Sequence, residues 1–152
     1  MLRKSSLPIL TLTFALFSCF AGNSFAVENQ AAWEASAGYL SSLPEGFNGI
    51  RAEVLKAKLD SGENVFLLDV RQPNEFAAGR IEGAVNVPVR EVPKNLTMLP
   101  TDKNAEIVVM CASGIRSGYV TMALNFQGYT NVKQIVGGYV ASWEKAGYPV
   151  AK

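Results

Sequence analysis

The stretch from Glu106 to Gln127 constrains this chain more than any other, because a short apolar run, a tight loop and a helix follow one another without a spacer. Ile107 to Met110 has the length and continuous hydrophobicity of a buried strand. Tyr119, Met122, Ala123 and Phe126 recur at spacings of three and four and predict one face of a helix, ended by Gly128. Between them lies Cys111-Ala112-Ser113-Gly114-Ile115-Arg116, in which Gly114 is free to take a positive φ. A loop of this kind turns successive backbone N–H groups inward as an anion nest, backed by the unpaired amides at the helix start. A cysteine at its first position puts sulfur where negative charge is favoured, which depresses the thiol pKa and makes a nucleophile.

Composition narrows the chemistry further. The chain has 152 residues, 49% of them hydrophobic, enough for one real core. It has no histidine, which removes Ser-His-Asp and Cys-His catalysis and argues against a protein-built transition-metal site. Any ionisation of Cys111 must therefore come from local electrostatics. The two cysteines, Cys19 and Cys111, are too few for a disulfide scaffold. A net charge of +1 with no basic stripe gives no reason to expect nucleic acid, and no cofactor motif is present.

Met1 to Ala26 reads as an export signal. Arg3 and Lys4 precede an apolar segment from Leu7 to Phe20, and Ser24-Phe25-Ala26 has the small-x-small form of a cleavage site. The apolar segment is short for a membrane anchor and Pro8 interrupts its start, so no membrane span is expected after processing. An alternative is lipid attachment at Cys19, since Leu16-Phe17-Ser18-Cys19 resembles a bacterial lipoprotein site, although Phe17 is bulky for it. Cleavage after Ala26 removes two basic and no acidic residues, turning +1 into −1, and leaves Cys111 as the only thiol. The expectation is a periplasmic or secreted protein in which a lone thiol is retained for use.

Residues 27–48 form a weakly patterned extension in which Trp33 and Tyr39 are expected to pack onto the domain. After a turn at Leu43-Pro44-Glu45-Gly46, Arg51 to Leu59 predicts a helix. Val65 to Val70 predicts a strand buried on both faces, and Asn74 is placed to cap a short helix reaching Gly79. Ala84 to Val87 reads as a strand stopped by Pro88, and Arg90 to Leu99 as a helix restricted by Pro93. Val132 to Val136 is the last strand, and Gly137-Gly138 leads into a helix carrying Trp143, closed by Gly147 and Pro149. Short strands alternating with helices predict an α/β domain with a mainly parallel sheet. In such sheets ligands bind beyond the carboxyl ends of strands, where Cys111 falls.

Four blocks in order now resemble a known family. They are Leu68-Asp69-Val70-Arg71 with Glu75-Phe76, the run Gly79 to Pro88, the loop Cys111 to Ser117, and Gly137-Gly138-Tyr139 through Trp143 to Gly147-Tyr148-Pro149. Together they are similar to a single-domain rhodanese over residues 49–150. The resemblance implies a rhodanese-like α/β fold of about five strands with helices on both faces. It also implies a sulfurtransferase, in which Cys111 accepts a sulfane sulfur as a persulfide and passes it to cyanide or a thiol. Arg80 stands where many members carry histidine, a position the resemblance leaves structural.

On this reading the catalytic residue is Cys111. Arg116, Ala112, Ser113, Gly114, Ile115 and Ser117 bind the substrate, with Arg116 drawing in a small anionic sulfur donor such as thiosulfate, and with a protein as a further candidate acceptor. Ser113 and Ser117 either donate to the sulfur or cap the following helix. Asp69 and Arg71 are expected to pair and hold loops, and Glu75, Asn86 and Trp143 to be structural. Two other classes stay in view: a non-catalytic sulfur-carrier or partner-binding module, and a phosphatase or arsenate reductase. Enzymes of the latter class that share the fold carry one more residue between cysteine and arginine, whereas Cys111 and Arg116 bracket four.

Overall fold

The computed structural model describes residues 24–152. The expected export segment lies outside them apart from Ser24–Ala26, which open helix α1 (Ser24–Ser41). The chain divides into two compact units, one ending at Glu34 and one spanning residues 35–152. The described part of the first is the beginning of α1, where Gln30 donates to Glu34 at 2.9 Å and Trp33 is largely exposed. No helix among the described residues is long and apolar enough to cross a membrane.

The second unit holds a five-stranded parallel sheet ordered β1-β5-β4-β2-β3, the α/β fold expected from the alternation of elements. Its strands are β1 (Gly49–Ile50), β2 (Phe66–Asp69), β3 (Val85–Asn86), β4 (Ile107–Met110) and β5 (Val132–Ile135). β1 has only two residues and carries no periodicity by which the sequence could announce it. Parallel neighbours require crossovers, supplied by α2 (Ala52–Asp60), α3 (Pro73–Ala78) and α4 (Ile115–Phe126).

Every residue of β4 is buried, and alternate residues feed opposite cores. Ile107 and Val109 join Leu68, Val70, Val120, Leu124 and Cys111 on the face covered by α4. Val108 and Met110 join Leu55, Leu67, Ile135, Tyr139 and Trp143 on the other. The residue after β4 therefore points under the start of α4, and this residue is Cys111.

Several local expectations change. The buried face of α4 is Ser117, Val120, Thr121 and Leu124, while Tyr119 and Phe126 are exposed, so the apolar stripe read from the sequence faces outward. Val120 and Leu124 pack into the core against Val109 and Leu68, and the same face brings Ser117 against the Cys111 sulfur. Part of the outward stripe is covered by Tyr39, whose ring meets Phe126 edge-on at 5.6 Å. Gln72, not Asn74, is the N-cap of α3, because Pro73 occupies the first helical position. The stretch 90–99 forms two single 3₁₀ turns, Val92–Lys94 and Leu96–Met98, consistent with the hydrogen bond that Pro93 cannot donate. The segment carrying Trp143 is one π-helical turn, Tyr139–Glu144, with the indole Nε1 donating to Pro149 O at 2.9 Å.

Candidate active site

The loop after β4 is held from both ends. Tyr139 N donates to Cys111 O at 2.7 Å and Val140 N to Ala112 O at 3.1 Å, tying the loop to the π turn. Gly138 lies so close beneath it that an added Cβ would stand 2.6 Å from the carbonyl of Ala112 and from the amide nitrogen of Ser113. At the other end Gly114 takes the left-handed conformation, φ 96° and ψ −21°, and serves as the N-cap of α4. That turn aims Gly114 N at Cys111 Sγ, 3.2 Å away.

Ser117 completes the sulfur's surroundings. Its hydroxyl donates to Gly114 O at 2.9 Å, lies 3.3 Å from Gln134 Oε1, and stands 3.6 Å from Sγ. The start of α4 has no side-chain cap, so the capping role read for this serine is not seen; its hydroxyl bonds the Gly114 carbonyl and stands against the sulfur. Ser113 and Ile115 are exposed at the rim, and Ala112 is half-buried.

Cys111 itself is completely buried. Burial taken alone pushes its thiol pKa up. The backbone amide and hydroxyl of Ser117 and the amides of Ser113 and Gly114 act in the opposite direction and prevail, so the pKa lies below the ordinary thiol value. A buried thiol in a purely apolar site would be shifted the other way.

Arg116 departs most from the expectation of a free cation. Its Nη1 and Nη2 donate to the two carboxylate oxygens of Glu75 at 2.7 and 2.8 Å, a bidentate pair in which both side chains are about 30% exposed. Hydrogen bonding to Arg116 holds the Glu75 carboxyl down at about 2, against the opposing pull of its partial burial. In return Glu75, with the nearby Cys111, raises the Arg116 pKa. Glu75 also accepts from Gln72 N at 2.9 Å, which fixes it at the start of α3. It is thereby joined to the end of the Cys111 loop, and nothing local to its own sequence announces a partner 41 positions away.

Asp69 and Arg71, expected to pair, do so. Arg71 Nε and Nη2 donate to Asp69 at 2.6 to 3.0 Å, Nη2 also reaches Gly79 O at 2.7 Å, and the guanidinium lies 4.1 Å over the Tyr139 ring. Asn86 Nδ2 donates to Asp69 O and Arg71 O. Arg80 bridges to Ala151 by its backbone and to Lys152 O by its side chain, so it is structural.

Comparison with known proteins agrees with this geometry. The family described as "Rhodanese-like domain" matches residues 51–146. A "Sulfurtransferase" of Allochromatium vinosum is 36% identical over 103 residues, covering 68% of this chain and 94% of that protein. A "Putative sulfur carrier protein" of Bacillus subtilis is 38% identical over 98 residues, covering 64% of this chain and half of that protein. Among solved structures, a rhodanese-related protein of Thermoplasma volcanium superposes with a TM-score of 0.60 at 31% identity, over 68% of this chain and 96% of that one.

Proposed function

This chain belongs to the rhodanese family, and from that premise we propose that it transfers sulfane sulfur through a persulfide on Cys111. Thiosulfate is the model donor. The Cys111 thiolate attacks the outer sulfur, the new Sγ–S bond forms, the S–SO₃ bond breaks, and its electron pair leaves with sulfite. Cyanide or a thiolate then attacks the terminal sulfur, the Sγ–S bond breaks, and its electrons restore the thiolate. With cyanide the product is thiocyanate. No proton moves in either step, which suits a chain without histidine.

The observation that carries the reading is the Gly114 amide directed at Sγ from 3.2 Å, in a loop whose donors outweigh the effect of burial on the thiol. The same donors would hold the negative charge of a persulfide. Complete burial of Cys111 adds a requirement: the rim at Ser113 and Ile115 must open for a donor to arrive. A sulfur atom so enclosed would also be kept well between loading and delivery, and this favours sulfur carriage as the second reading, in line with the name of the Bacillus relative.

The test is to expose the protein to thiosulfate and weigh it intact. Cys111 is expected to gain one sulfur atom, cyanide to remove it as thiocyanate, and Cys111→Ser to abolish both. A protein that stays unmodified under thiosulfate and under polysulfide overturns the reading. Loading with a single discharge and no steady turnover assigns it to the carrier. We also place the reaction outside the cytosol, on the export signal read in Met1 to Ala26. Recovery from the producing cell of a chain that retains Met1 to Ala26 would contradict this.

A further inference from the structure

We propose that Arg90 binds the carboxylate of a small anionic acceptor thiol, in a cleft that ends at Arg116. The inference rests on the sulfurtransferase reading and names a substrate class within it. The cleft is open to solvent, has a volume of about 630 Å³ and meets the Cys111 loop at its last residue, Arg116. Gln72 and Pro73 form one side, the turn Pro88 to Glu91 forms the other, and Arg116 also lines it. Thiosulfate or cyanide would fill a small part of such a space, which is of the size that holds a whole organic ligand.

Charge then selects the ligand. Arg116 is neutralised by Glu75, with both carboxylate oxygens engaged. Glu91 faces Lys94 at 3.8 Å. Arg90 is exposed, and no carboxylate of the described residues lies within ion-pair distance of it. It is therefore the uncompensated charge of the cleft, and it is positive. The anionic donor that the sequence assigned to Arg116 has no free charge to meet there, whereas an anionic ligand does at Arg90.

Its backbone is also fixed. Glu91 N donates to Pro88 O at 2.7 Å, which closes the turn that carries Arg90, and Val89 N donates to Val70 O at 3.2 Å, which ties this turn to the end of β2. The opposite side begins directly after Arg71, whose carbonyl accepts from Asn86 Nδ2 at 3.0 Å. The two sides are thus braced against each other. Arg116 connects the cleft to the reaction, since it lines the cleft and stands in the first turn of α4, whose N-cap Gly114 directs its amide at Cys111 Sγ.

The experiment loads the protein with thiosulfate, checks the loading by intact mass, and then measures kcat/KM for two acceptors. These are mercaptosuccinate, with two carboxylates, and mercaptoethanol, with none. For Arg90→Gln the ratio of the first value to the second should fall roughly threefold to fivefold against wild type, the scale of an exposed charge contact. Arg90→Glu should lower it further, and about 0.5 M salt should narrow the wild-type ratio. An unchanged ratio in both variants overturns the proposal while leaving the sulfurtransferase reading in place. Failure of the wild type to load sulfur, seen before any acceptor is added, instead removes the reading on which the proposal rests.

Discussion

The ends of β2 and β4 lie side by side, with Asp69 opposite Met110 in the sheet and Val70 N bonded to Met110 O. Each carries a reactive type of residue at the same level, the position at which parallel sheets bind ligands. At the exit of β2, Asp69 and Arg71 are consumed internally. Arg71 satisfies Asp69, Gly79 and the Tyr139 ring, and Asn86 takes the carbonyls of Asp69 and Arg71. After β4, the Gly114 amide and the Ser117 hydroxyl converge on one sulfur atom. Place in the fold is thus not what separates a brace from a site. The distinction is whether the donors have an internal partner or are aimed at an atom that can change its charge.

If so, the two strand ends should fail differently. The largest effect is expected for Asp69→Asn. It leaves the Arg71 guanidinium, whose side chain is 4% exposed, without its countercharge, and should cost about 3–5 kcal/mol of folding stability. Urea denaturation measures the loss, while sulfur transfer per folded molecule should be largely retained. A large fall in specific activity at unchanged stability would erase the contrast between the two ends. Gly138→Ala comes next. Its φ of 70° and the 2.6 Å approach to Ala112 and Ser113 leave no room for a methyl group, and the obstruction is backbone. About 2 kcal/mol or more should be lost, together with most of the Cys111 loading seen by intact mass, because the loop must shift to relieve the contact.

Much of this contrast is legible in the amino-acid sequence. The run Ile107 to Met110, the loop glycine and the cysteine are local features, and local features dictate a buried strand, a left-handed turn and a sulfur at its mouth. The pairing of Asp69 with Arg71 is legible because the two residues are near neighbours along one strand exit. The part played by Glu75 is not, since it is decided by an arginine brought to it through the sheet. The face of α4 departs from its apolar spacing for a related reason. That spacing favours Tyr119 and Phe126, but the core under the helix is met by Val120 and Leu124, with Ser117 and Thr121 on the same face. Arg90 carries no signal at all, because an unpaired arginine is defined only by the carboxylates that are absent around it.

A smaller effect is expected within the loop itself. Ser117→Ala removes a hydroxyl that helps keep the thiol pKa below its ordinary value, so the pKa should rise. The iodoacetamide alkylation rate of Cys111 should then reach its half-maximum at higher pH than in wild type. Near neutral pH the reaction should slow by roughly threefold to tenfold, the worth of about one ordinary hydrogen bond. Coincident pH profiles for the two proteins would show that the backbone amides alone ionise the sulfur.

The smallest effect is expected for Glu75→Gln, and it tests whether the Arg116 pair belongs with the braces or with the site. The Glu75 carboxyl titrates at about 2 in the folded chain against an ordinary 4.5. A carboxyl lowered on folding adds stability that is fully present above 4.5 and disappears as the pH falls through about 2. Wild type should therefore exceed Glu75→Gln in stability at pH 6, by less than Asp69→Asn costs, because this pair is partly exposed and screened by solvent. The margin should shrink by pH 3 and vanish near pH 1. Denaturation at these pH values gives the margin, and thiosulfate loading of the same samples at pH 6 gives the second reading. Freed of its carboxylate, Arg116 regains a full positive charge beside Cys111, and loading by the thiosulfate dianion should quicken. If stability changes as described while loading does not, the pair is a brace like that of Asp69 and Arg71, and the site narrows to the sulfur and its donors.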